Sequence, residues 1–184
     1  FAHFALNLPW LECFLIGSVI SSTDAASVFN ILRSQNLALK YHTDSLLEVE
    51  SGSNAPMSYM LTTVAIAFLS GESVLVPLLL AQQIIIGVFC GILMGYLAVK
   101  LLHRQLLPSQ QSHTIFLLAV MFLAYTIPAQ LNGNGYLSVY LCGIWIGNSN
   151  LPKKKYLVHF FDVLTHVAQV QISFLLGLLI TPVK

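Results

Sequence analysis

Glu50-Ser51-Gly52-Ser53-Asn54-Ala55-Pro56 is the stretch of this chain best equipped for chemistry. A carboxylate, two hydroxyls and an amide stand there within five residues. On a helix, Glu50 and Asn54 lie four apart and share a face, with Ser51 and Ala55 as the adjacent pair. Glu48, two residues before Glu50, points to a different face. Pro56 has no N–H, so a carbonyl one turn earlier, near Gly52, loses its helical partner. These are the hard oxygen ligands that a dehydrated alkali cation requires. A second polar group, Ser21-Ser22-Thr23-Asp24, lies about thirty residues upstream.

Both groups interrupt sequence that reads as membrane. The 184 residues are 57% hydrophobic and 8% charged, against about 25% charged in soluble domains. No charged residue lies between Glu72 and Lys100, between Arg104 and Lys153, or between Asp162 and Lys184. At about 20 apolar residues per crossing, these gaps hold one, two and one spans. The chain is therefore expected to be an all-α integral membrane protein with about six spans. It begins and ends within membrane-like sequence and has no signal peptide, as a fragment of a longer protein would. Its net charge of +1 gives no reason to expect a nucleic-acid partner. Cys13, Cys90 and Cys142 lie in apolar stretches, spaced for neither disulfides nor zinc, and are expected as small buried hydrophobes.

Residues 1–184 are read as a single transmembrane unit. Two interrupted helices occupy residues 1–70: a first span from about Trp10 to Arg33, a polar connection to Asp44, and a second from about Leu46 to Ser70. A tight turn follows at Gly71-Glu72-Ser73, where Ser73 can cap the next helix. A long linking helix covers residues 74–102, and Gly87, Gly91 and Gly95 mark one face of it for close helix packing. A loop from His103 to His113 contains Pro108. Three further spans occupy residues 114–184: Thr114 to Leu131, Tyr136 to Asn148, and Phe160 to Pro182. Asn132-Gly133-Asn134-Gly135 is a turn signal, and residues 150–155 form the last loop.

Lysine and arginine fall in alternate connections: Arg33 and Lys40, then Lys100 and Arg104, then Lys153, Lys154 and Lys155. Those connections should be cytoplasmic. The lysine triplet suits an interfacial anchor or a lipid-headgroup site. The histidines at 3, 42, 103, 113 and 159 belong to span ends or loops, and His166 lies nearer an apolar stretch. Gln169, Gln171 and Ser173 supply hydrogen bonds between helices or line an ion route.

Two readings stand for each polar interruption. Asp24 caps a helical turn, or it faces a cavity, since a lipid-facing acid near mid-span costs about 2.5–3.5 kcal/mol. The second motif is a kinked helix whose polar groups satisfy one another, or an ion site. Broken helices that cross near mid-membrane are the arrangement in which secondary transporters hold their ions, with acids offsetting exposed helix ends.

Four stretches together resemble the sodium(potassium)/proton exchangers, in the NhaP-like branch of the monovalent cation:proton antiporters. They are Ser22-Thr23-Asp24-Ala25-Ala26; Leu47 to Met57; Gly133 to Tyr140 with Gly147-Asn148; and Phe174 to Leu179. The resemblance implies a larger antiporter fold of about a dozen helices, with two interrupted helices meeting near mid-membrane and a homodimer in the full-length parent. It implies K+ or Na+ and H+ as the species carried in the bilayer, no cofactor and no enzymatic reaction. Thr23, Ser51 and Asn54 would belong to the ion site with Asp24; Thr23 and Ser51 would be ligands to the monovalent cation. Glu50 would stabilise the site, paired in the family with an arginine from a later helix. Where the family has its ion- and proton-binding aspartate, this chain has Ala55. The resemblance therefore implies that this chain is inactive as an exchanger. Rival expectations are a proton-uncoupled channel or sensor subunit on the same helices, and an intramembrane enzyme using Asp24 and Glu50 as acid and base.

Overall fold

A computed structural model describes residues 2–23, 40, 43–71, 75–104, 109–151 and 154–179. Among the described residues there are seven helices, in order α1 (Ala2–Leu6), α2 (Trp10–Ile20), α3 (Thr43–Leu69), α4 (Val76–His103), α5 (Gln110–Gln130), α6 (Gly135–Asn148) and α7 (Lys154–Leu179). Three are long and apolar enough to cross a membrane: α4, α5 and α7. Of the others, α2 ends early, α3 carries the polar motif, and α6 has 14 residues, about 21 Å of rise. The architecture is all-α and belongs to a multi-pass membrane protein. Asp24, most of the 33–44 connection, Glu72, Ser73, Pro108, Lys153 and the end of the last span lie outside the described residues.

The glycine face of α4 packs on α6. A methyl group added at Gly87 would lie 2.8 Å from the Asn134 carbonyl oxygen, at Gly91 2.6 Å from the Ser138 carbonyl oxygen, and at Gly95 2.8 Å from Trp145 Cβ. Backbone therefore meets backbone along three turns, the contact for which small residues are used in membranes. The register rises on both helices, so α4 and α6 run parallel. α5 returns between them and closes a core of Ala98, Val120, Ala124 and Cys142. Cys90 is also buried and Cys13 half-buried, all three as free thiols.

The α5–α6 turn falls at the expected residues. Asn132 adopts φ +57°, a conformation that asparagine tolerates better than most side chains. The Gly133 N–H donates to the Pro128 carbonyl at 2.8 Å. Asn134 then caps α6, its side chain accepting from the Leu137 N–H at 3.0 Å.

The ends of α4 and α6 meet the start of α7 at one end of the bundle. Nε2 of His103 lies 3.1 Å from the Asn150 carbonyl oxygen, and Leu102, Leu117, Leu151 and Leu157 form a second core there. The last helix begins at Lys154 rather than near Phe160. Burial of Leu157 pulls its first turns into this core, and Lys154 Nζ donates to the Gly147 carbonyl, an orphan acceptor in the last turn of α6. Beyond these turns α7 is largely exposed, including Gln171 and Ser173.

The α4–α6 contact yields opposite expectations for two glycines. Gly91→Ala should lower the thermal unfolding midpoint of the full-length protein in detergent, at a cost of about 1–3 kcal/mol for forcing backbone apart. Gly143→Ala, where nothing lies within 4 Å of the added methyl, should leave the midpoint unchanged or slightly raised.

Candidate functional site

The two polar interruptions differ in form. In the first, α2 stops at Ile20, and Ser21, Ser22 and Thr23 leave the helix. Ser21 Oγ donates back to the Ser18 carbonyl at 2.7 Å and its N–H to the Gly17 carbonyl, which ends the helix tidily. In the second, the helix does not unwind: residues 50–56 stay within α3, with Pro56 inside it. The interruption is a missing donor at Pro56 rather than a break, because the packed neighbours of α3 hold the helix together across it.

α3 lies between two partners and uses an adjacent stripe of its surface for each. Toward α2, Ser58 Oγ, buried, donates to the Ser18 carbonyl at 2.6 Å. One and two turns earlier on that side come Asn54 and Glu50–Ser51. Toward α6, Gly52 leaves room for the Tyr140 ring, whose Cε2 would be 2.4 Å from a Cβ at that position. A turn later the Pro56 carbonyl accepts from Asn134 Nδ2 at 2.9 Å. Next, the Tyr59 and Tyr136 rings sit with centroids 5.2 Å apart. The pairs run in opposite directions along the two helices, so α3 is antiparallel to α6. Tyr140 is near the middle of α6, at the level of the Gly91–Gly95 stretch of α4, so the motif lies well inside the helix bundle.

Four of the residues singled out in the sequence meet. Thr23 Oγ1 donates to the Glu50 carboxylate, 3.2 Å from Oε2 and 3.4 Å from Oε1. Asn54 Nδ2 donates to Thr23 Oγ1 at 3.0 Å and also to Glu50 Oε1. Ser51 Oγ donates to the Thr23 carbonyl at 2.9 Å. The broken end of α2 is thus laid across the face of α3 that carries Glu50, Ser51 and Asn54. Thr23 and Glu50 are exposed, whereas Ser51, Asn54 and Ala55 are half-buried. Asp24 follows Thr23 directly in sequence and is outside the described residues.

Chemically the cluster is a set of oxygen-bearing groups in direct contact: one carboxylate, two hydroxyls, the Thr23 carbonyl and the Asn54 amide. Its hydrogens are arranged so that Asn54 and Thr23 donate toward Glu50, leaving hydroxyl lone pairs as acceptors. Among the described residues no group of three or more histidines, cysteines, aspartates or glutamates could hold a metal ion. Ala55, beside Asn54, brings no polar atom. Sequence reasoning missed two neighbours of the motif, Tyr140 over Gly52 and Asn134 on the Pro56 carbonyl. The glycine inside the motif was the available signal for the first, since a glycine within a helix often marks the close approach of a neighbour.

In this multi-pass membrane protein the end of one apolar helix lays hydroxyls and a carbonyl on the carboxylate and amide of a second. The chain belongs to the transmembrane sodium/hydrogen exchanger family, which it matches over residues 1–182. It is 38% identical over 184 residues to the K(+)/H(+) antiporter NhaP of Alkalimonas amylolytica, an alignment covering 98% of this chain and 32% of the relative. With the K(+)/H(+) antiporter NhaP2 of Shewanella sp. (strain MR-4) it shares 34% identity over 188 residues, with the same coverage of each. The NhaP2 protein of Shewanella baltica (strain OS223) is 32% identical over 186 residues, again covering 98% and 32%. The chain thus spans about a third of the length of the curated relatives it matches. No solved structure matches it.

If the cluster acts as a unit, its members should couple. In a double-mutant cycle of Thr23→Val and Asn54→Ala, followed by thermal unfolding of the full-length protein, the coupling should be about 0.5–1.5 kcal/mol. Additive effects would mean that the two side chains do not meet in the folded protein.

Proposed function

We propose that the full-length protein is a monovalent cation/proton antiporter whose cation site is built on Thr23, Ser51 and Asn54, with Asp24 beside them and Glu50 as the stabilising acid. The observation that carries this reading is the contact of Thr23 with Glu50, Ser51 and Asn54 across two helices. K+ or Na+ is the cargo, and the names of the relatives favour K+. A bare cation in this place would exchange water for the Thr23 and Ser51 oxygens and the Thr23 carbonyl. The Glu50 charge offsets the cation, which lowers the cost of moving it out of water. Within the full-length protein, two copies assemble as a homodimer.

Antiport needs one group that holds either the cation or the proton, never both. A carboxylate does this, because a nearby cation favours its charged form and desolvation favours its protonated form. At the position next to Asn54 the side chain is the methyl of Ala55, which takes neither ligand. The chain as it stands keeps the polar frame of the site and lacks its exchangeable group, so exchange should be absent or nearly so.

Restoring the acid tests the assignment. Ala55→Asp in the full-length protein, assayed in everted vesicles by cation-induced proton release, should raise the rate at least about tenfold over Ala55, the scale of an essential proton-transfer group. Equal rates for alanine and aspartate would defeat the role assigned to this position. A steady cation current without pH change in the Ala55 form would instead favour an uncoupled channel.

A further inference from the structure

Next to the motif, and not in it, is a buried polar junction that neither the cation site nor the packing of α4 on α6 accounts for. Asn134 is fully buried and uses all of its polar atoms. Its side-chain oxygen caps α6 on the Leu137 N–H, and its backbone N–H donates to the Gln83 carbonyl of α4 at 3.1 Å. Its own carbonyl accepts from the Ser138 N–H at 3.1 Å. That leaves the side-chain Nδ2 group with its two N–H donors, one of which reaches 2.9 Å across to the Pro56 carbonyl of α3. Three of these bonds tie Asn134 to α4 and α6, and only one ties it to α3.

The two residues bonded to its backbone, Gln83 and Ser138, each carry a buried side-chain oxygen with no hydrogen-bond partner among the described residues, Gln83 Oε1 and Ser138 Oγ. Gln83 is 3% exposed and Ser138 fully buried. A polar atom buried without a partner is costly, and more so where lipid replaces water. A cleft of about 470 Å³ lined by Tyr59, Thr63, Gln82, Gln83 and Asn132 reaches the junction from the end opposite the lysines. The junction therefore holds one fixed half, one bond to the motif helix, and two spare hydrogen-bonding atoms.

We propose that Asn134 is a positioning residue for the cation site: its amide sets the height of α3 against α6 through the Pro56 carbonyl. The motif residues 50–54 lie within one to two turns of Pro56 on the same helix. Because α2 packs on α3, a shift of α3 along α6 carries Thr23 together with Glu50, Ser51 and Asn54, so the bond at Pro56 governs the level of the whole site against the α4–α6 pair. The tilted Tyr59 and Tyr136 rings, 5.2 Å apart, follow the same register, which makes them a reporter of it. The proposal rests on the antiport reading for its transport readout alone.

The test uses Asn134→Ser, which keeps an oxygen to cap α6 but cannot reach the Pro56 carbonyl, and Asn134→Ala, which loses both. In the full-length Ala55→Asp protein, both variants should slow maximal exchange about tenfold, the effect of one buried hydrogen bond on a conformational step. The half-saturating cation concentration should stay within about twofold. If Asn134 matters only as a helix cap, the serine variant exchanges at the parent rate and the proposal fails. A second measurement needs no transport: disulfide formation between Tyr59→Cys and Tyr136→Cys, with Cys13, Cys90 and Cys142 replaced by alanine. Its rate should fall several-fold when Asn134→Ser is added, and an unchanged rate would overturn the proposal. Loss of exchange in Ala55→Asp itself would sink the antiport reading while leaving the disulfide result standing.

Discussion

Asn134 and the Pro56 carbonyl meet 78 residues apart in sequence, and much of the helix arrangement around the site is organised about that bond. Apolar surroundings give an unpaired backbone or amide group no water to turn to, so each one is placed by the partner it must find. Asn134 faces that demand from three helices at once: it begins α6, holds the Gln83 carbonyl of α4, and reaches into α3 beside the proline. Remove it and α3 keeps its Ser58 bond to α2 and its ring contacts to α6 but has no polar anchor beside Pro56. Tyr140 over Gly52 and the paired rings of Tyr59 and Tyr136 complete that contact on either side of the anchor. The motif helix is thus held from one flank by α6 and from the other by the broken end of α2.

This arrangement explains how a helix can carry Glu50, Ser51, Ser53 and Asn54 and remain a helix. Each of the first two and Asn54 has a partner on Thr23 or on one another, and Ser53 Oγ donates to the Val49 carbonyl at 2.7 Å. Thr23 is able to serve them because α2 stops at Ile20 and frees its next residues from helical geometry. Polarity here is local satisfaction first, and the cation-binding role proposed for it builds on that frame. Ala55 breaks no hydrogen bond in the frame.

How much of this could be read from the sequence depended on the range of the interaction. The glycine stripe at 87, 91 and 95 was legible because a four-residue spacing already states which face is smooth, and the structure puts α6 against it. The turn at Asn132–Gly135 was legible because its conformation is chosen by the residues inside it. Proximity of Thr23 to Glu50, Ser51 and Asn54 was an expectation drawn from two separate polar interruptions, and the helices do cross there. The start of α7 was misplaced, since apolarity points to Phe160 whereas the buried Leu157 and the reach of Lys154 to α6 begin the helix six residues earlier. Pro56 was read as the loss of one helical hydrogen bond, and α3 runs continuously through it. The helix persists because neighbours that no local pattern names, Asn134 and Tyr140, support it.

The notches at Gly87, Gly91 and Gly95 also have a mechanical meaning. Where main chains touch, two rods interlock like gear teeth, and sliding by a fraction of a turn would drive carbonyl oxygen into Cα. α4 and α6 should therefore travel as a single strut, about 42 Å long from the 28 residues of α4. α3 meets that strut through rings and one amide, softer material that tolerates slippage. Any relative motion of these helices will concentrate its shear on that side, and the strut will pass the load on undeformed.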